Sequence, residues 1–108
     1  MTEPILGEFE QLVLLALVRQ GEDGYGVSIC QDLSDRTGRD VSLAAVYKTL
    51  ERLETKGLVG SRLGEPTAQR GGRRKKFFRL LAPGERALKS SLSAIRRMTE
   101  GLGAGYDG

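Results

Sequence analysis

Six cations fall between residues 70 and 79: Arg70, Arg73, Arg74, Lys75, Lys76 and Arg79. No acid interrupts them, and only Gly71, Gly72, Phe77 and Phe78 break the run. Guanidinium and ammonium groups packed this densely suit a polyanion with closely spaced charges. The glycines allow a tight turn among them, and the aromatics anchor the strand that carries them. A second set lies upstream, where Ser42, Ala44, Ala45, Tyr47, Lys48 and Arg52 follow Arg39 within one helical pattern. Small residues there let a backbone approach a groove, and Tyr47 and Lys48 can reach bases or phosphates. Covalent chemistry has no such support. The chain has no histidine and one cysteine, Cys30. Histidine-based acid–base pairs and multi-cysteine metal sites are therefore excluded. The glycines match no phosphate-binding fingerprint. No catalytic residue, metal site or cofactor is expected, and the chain does not read as an enzyme.

The bulk charge supports a local contact. The net charge of +3 combines +6 over residues 66–84 with 11 basic against 14 acidic residues elsewhere. A mildly acidic body with one cationic segment points to a directed partner. At 108 residues the chain has the length of one domain with a modest core. The longest apolar run, Leu12 to Val18, is far too short to span a membrane. The acidic opening MTEPILGEFE does not read as a signal peptide. A lone cysteine fits a reducing compartment, so a cytoplasmic location is expected. Cys30 itself reads as a small buried residue.

The elements that must position these side chains follow from periodicity. Residues 5–19 predict a first helix, with Ile5, Phe9, Leu12, Val13, Ala16 and Leu17 in one stripe. Leu14, Leu15 and Val18 widen the stripe until most of the cylinder is apolar, which suggests cover from a second subunit. A second helix is predicted over 25–38, with Val27, Ile29, Cys30 and Leu33 inward and Gly38 as the stop. A third is predicted over 42–57, capped by Ser42 and built on Val46, Leu50 and Leu53. Lys48 lies about 180° from that face at 100° per residue. Residues 58–64 and 74–81 predict a β-hairpin with a basic tip. Phe78 and Leu80 share one face of its second strand, with Phe78 expected in the core. A final helix is predicted from beyond Gly84 to about Leu102. Its Leu88, Leu92, Ile95, Thr99 and Leu102 follow the 4-3 spacing of a helix pair. With Leu12 and Leu15 they form the expected homodimer interface.

Helix, helix, helix, hairpin, helix is the order of a winged helix-turn-helix. The fold class expected is mainly α with a β-hairpin: a winged helix-turn-helix over 1–82, then a C-terminal dimerisation helix and tail over 83–108, as one structural unit. The expected partner is double-stranded DNA, with the third helix in the major groove and the cationic wing along the phosphates. A winged-helix adaptor binding RNA or a protein partner is the alternative. The stretches DGYGVSICQDL, VSLAAVYKTLERLETKGLV and RGGRRKKFFRLLAPGERAL resemble the PadR family of bacterial transcriptional regulators, over roughly residues 5–90. The resemblance implies a dimeric repressor on an inverted-repeat operator. It implies Ser42, Tyr47 and Lys48 on the recognition helix and Arg73 to Lys76 on the wing. Asp23 stands where that family often has histidine, and Leu81 where it usually has a capping threonine. Some family members answer to phenolic acids or hydrophobic drugs. The absence of tryptophan argues against a tryptophan-lined pocket, and a small-molecule effector is left open.

Overall fold

The computed structural model describes residues 3–65 and 74–106. Helix α1 spans Glu8–Gln20, α2 Gly26–Thr37, α3 Leu43–Thr55 and α4 Ala82–Thr99. Strands β1 (Gly24–Tyr25), β2 (Val59–Leu63) and β3 (Lys76–Leu80) form one antiparallel sheet in the order β1-β3-β2. The chain is mainly helical with a small sheet, a winged helix-turn-helix.

Helix α1 starts three residues later than the apolar stripe predicts. Gly7 is the extended N-cap, and Glu10 reaches back to accept from its N–H at 3.0 Å. Ile5 therefore lies outside the helix and is exposed, while Leu6 tucks into the core. The stripe otherwise packs as expected: Val13, Leu14, Ala16 and Leu17 are buried, and Phe9, Leu12 and Leu15 lie against the core. Val18 remains exposed.

In α2, Ile29 and Leu33 point inward, one helical turn apart. Val27 does not, contrary to expectation. It stands two residues, about 200°, from Ile29 and is half exposed. Cys30 is half-buried rather than buried, and its thiol donates to the Val41 carbonyl at 3.2 Å. Gly38 closes the helix in the left-handed conformation at φ 71°.

Helix α3 holds the predicted frame. Ser42 caps it by accepting from the Ala45 N–H at 3.0 Å. Val46, Leu50 and Leu53 are fully buried. The β2–β3 hairpin is also as predicted, with shorter strands, and Phe78 is only 2% exposed. Strand β1 was not legible in advance. Two residues cannot show alternation, and the strand exists because Gly24 and Tyr25 pair with Phe78 and Phe77 on the free edge of β3.

Helix α4 begins before Pro83, not after Gly84. Proline fits the first turn, where its missing N–H needs no partner. Gly84 packs so closely on the Leu58 carbonyl that an added Cβ would sit 2.1 Å from its oxygen. Leu81 caps α4 without a side-chain hydrogen bond. The helix ends at Thr99, with Gly101 left-handed beyond it, so Leu102 lies outside the predicted seam. The described chain is elongated, with extents of 56 × 34 × 20 Å. Its radius of gyration of 15.5 Å exceeds the roughly 13 Å of a compact chain this long. Among the described residues, no helix is long and apolar enough to cross a membrane.

Candidate nucleic-acid interface

Helix α3 is sealed on one side and open on the other. Opposite Val46, Leu50 and Leu53, the exposed residues include Ala44, Lys48 and Glu51. Ala45 is half-buried and Ser42 exposed. Tyr47 is 38% exposed, but its ring is not free. It lies over the start of α2, where a Cβ on Gly26 would come within 2.3 Å of it. Glycine at that position lets the tyrosine pack while its edge stays at the surface.

Two acids of α1 hold the cations at either end of α3. Before the helix, Arg39 donates twice to Glu8, at 2.7 and 3.2 Å. These bonds and the guanidinium charge lower the Glu8 carboxyl below its usual range and raise Arg39. Near its end, Arg52 and Lys56 donate to one oxygen of Glu10 at 3.2 and 3.1 Å. Burial pushes the Glu10 carboxyl up. The Gly7 N–H, Lys56 and Arg52 outweigh burial, so the net shift is downward. Arg52 thus pairs with the first helix.

The wing carries its cations on aromatic supports. On the outer face, Lys75 lies 4.4 Å above the Tyr25 ring and Arg62 4.6 Å from the Phe77 ring centre. Tyr25 and Phe77 meet edge to face at 5.7 Å. A Cβ on Gly64 would strike the Phe77 ring at 2.6 Å, so glycine leaves that ring its room. On the inner face, Lys76 sits 5.3 Å from the Phe78 ring centre and 3.5 Å from Glu54 of α3. The ring contacts of Lys75 and Arg62 hold flexible side chains in place and leave their charge unneutralised. Arg74 is exposed, two residues before β3. Arg70 and Arg73 lie outside the described residues.

The residues predicted to face a partner subunit differ in exposure. Leu88 is already buried in the chain's own core, 3% exposed. Thr99 ends the helix and turns its hydroxyl to the Arg96 carbonyl. Leu92 lies half-buried, Ile95 is 51% exposed and Met98 78% exposed. Leu15, Val18, Leu80, Leu88 and Leu92 line an apolar groove of about 450 Å³ between α1, β3 and α4.

Glu10, Glu54 and Arg62 were not singled out by sequence reasoning. Each acts across a distance along the chain, as with Glu10 and Arg52, 42 positions apart, and no local pattern marks such pairs.

A family model described as "Transcriptional regulator PadR-like family" matches residues 14–90, more than half of the chain. No curated protein matches in sequence. Among solved structures, a PadR-like transcription factor from Bacteroides fragilis is 23% identical, with a TM-score of 0.73 over 87% of this chain and 85% of that one. A PadR family transcriptional regulator from Eggerthella lenta is 25% identical, with a TM-score of 0.69 over 88% and 82%. Bacillus subtilis PadR in complex with operator DNA is 24% identical, with a TM-score of 0.66 over 79% of this chain and 46% of that one.

Proposed function

The chain belongs to the PadR-like family of transcriptional regulators, and on that premise we propose that it is a homodimeric repressor acting on an inverted-repeat operator. It is a regulator by family, not an enzyme. Residues 1–82 read the duplex and residues 83–108 pair the subunits. Helix α3 enters the major groove, with Ser42, Ala44, Ala45, Tyr47 and Lys48 toward the bases and the adjacent phosphates. Arg74 and Lys75, with Arg70 and Arg73, run along the phosphate backbone, and Lys76 stands at the base of the wing. Arg39 adds a phosphate contact by exchanging Glu8 for DNA. Arg52, held by Glu10, is left out of the proposed contacts.

The observation that carries this reading is the open face of α3. A solvent-exposed lysine and a small alanine surface lie on a helix whose opposite face is sealed, and a strand with exposed cations is joined to that helix through Glu54. A two-fold pair of such units spaces two recognition helices about 34 Å apart, one turn of duplex. The exposed Ile95 and Met98 of α4 and Val18 of α1 supply apolar surface for that pairing.

The test is selection of an operator from random duplexes, followed by binding titrations over a salt series. Each phosphate contact contributes about −0.9 to the slope of log K against log salt. Replacing Arg74 and Lys75 together with alanine is expected to flatten the slope by about two such contacts. Lys48→Ala is expected to change sequence preference as well as affinity. Unchanged DNA binding in both variants would refute the assignment. Stronger binding to RNA of the same sequence would favour the adaptor reading.

A further inference from the structure

The run LERLE in α3 ends on Glu54, a carboxylate with no part in the proposed DNA contacts. Glu54 lies near the end of α3, on the side facing the sheet. Its two oxygens serve two different strands. The Ser61 hydroxyl of β2 donates to one, and the Lys76 ammonium of β3 lies 3.5 Å from the other. Ser61 stands opposite the buried Phe78 in the sheet register, and Lys76 also rests against the Phe78 ring. The carboxylate therefore closes a bracket between the helix and both strands of the hairpin.

We propose that Glu54 is a positioning residue that fixes the angle of the wing to the recognition helix and so sets DNA selectivity without touching a base. The proposal rests on the DNA reading of α3 and the wing given above. The physical case begins with how else the two are joined. The chain passes from α3 to β2 through a tight turn, where the Gly57 N–H donates to the Glu54 backbone carbonyl at 2.9 Å and the Leu58 N–H to the Leu53 carbonyl at 3.0 Å. That turn fixes where β2 starts, and the base of the hairpin is held in the core by Phe78 and by the pairing of β3 with β1. Glu54 ties α3 directly to the hairpin further out, at Ser61 in the middle of β2 and at Lys76, the first residue of β3, which lies beyond the residues paired with β1. Two DNA-contacting elements held at a fixed offset act as linked binders, and loosening the link lowers the effective concentration of one beside the other. Binding to unrelated duplex depends on the summed cations and needs no such registration. Losing Glu54 should therefore lower specific binding and spare non-specific binding, which also gains slightly from the loss of an acid.

Glu54→Ala, Glu54→Gln and Ser61→Ala test this, measured against the operator duplex selected by the wild-type protein and against a scrambled duplex at one salt concentration. Circular dichroism establishes that each variant is folded at the assay temperature. Glu54→Ala is expected to lower the operator-to-scrambled affinity ratio about tenfold, with affinity for the scrambled duplex unchanged or higher. Ser61→Ala should lower the ratio in the same direction by less. Glu54→Gln keeps an acceptor for Ser61 and should retain part of the wild-type ratio. An equal loss on both duplexes, or ratios equal to wild type in Ser61→Ala and Glu54→Gln, would overturn the proposal. A wild-type protein that fails to prefer any duplex refutes the DNA reading itself, an outcome visible without the variants.

Discussion

Glu10→Gln tests how α3 is fastened to the rest of the chain. The wild-type side chain is 9% exposed and accepts from Gly7 at 3.0 Å, Arg52 at 3.2 Å and Lys56 at 3.1 Å. Glutamine keeps the shape and one carbonyl acceptor for Gly7, so the helix cap survives. Its amide cannot neutralise the two cations. Arg52 and Lys56 are 52% and 40% exposed, so water softens the loss, and each ion pair counts for about 0.5–1 kcal/mol. With the charge-assisted part of the buried bonds the expected cost is about 2 kcal/mol. For a chain of this size that lowers the melting temperature by about 8 °C. The pH dependence follows from the direction of the Glu10 shift. Its folded pKa lies below the ordinary 4.5, so its stabilisation is full above that value and is lost as pH falls through the folded one. Urea unfolding of both proteins at one concentration, followed by circular dichroism from neutral pH to about pH 3, measures this. The two stabilities are expected to converge toward acid. A gap that persists unchanged at the acid end, or one below about 0.5 kcal/mol at neutral pH, would refute the ionic clamp.

Gly84→Ala places a methyl group against the Leu58 carbonyl, which accepts the Leu81 N–H at 3.0 Å and cannot retreat without breaking that bond. A loss of about 3 kcal/mol in denaturant unfolding is expected. Gly26→Ala instead meets the far end of the Tyr47 side chain, which can swing away. Its stability should stay within about 1 kcal/mol of wild type, while the Tyr47 ring resonances and operator preference shift. Ile95→Asp with Met98→Asp puts charge on the exposed side of α4, and sedimentation should show a shift toward monomer with the fold intact by circular dichroism.

The residues that make elements were legible because their causes are local. Ser42, Val46, Leu50 and Leu53 mark α3 by a cap and a spacing, and Gly38 marks the end of α2. The density of cations around residue 75 pointed to a polyanionic partner, and the lack of histidine left no histidine-based acid–base pair. The family resemblance rested on the same local runs. Tertiary structure decided what those residues meet. It turned Val27 outward, drew Leu88 into the chain's own core and ended α4 before Leu102. It laid Tyr47 over Gly26, gave Arg52 to Glu10, and set Lys76 and Ser61 around Glu54. The physical reason is range. A cap or an apolar stripe acts within a few residues, whereas a carboxylate selects its cation by distance in space, which the order of the chain does not encode.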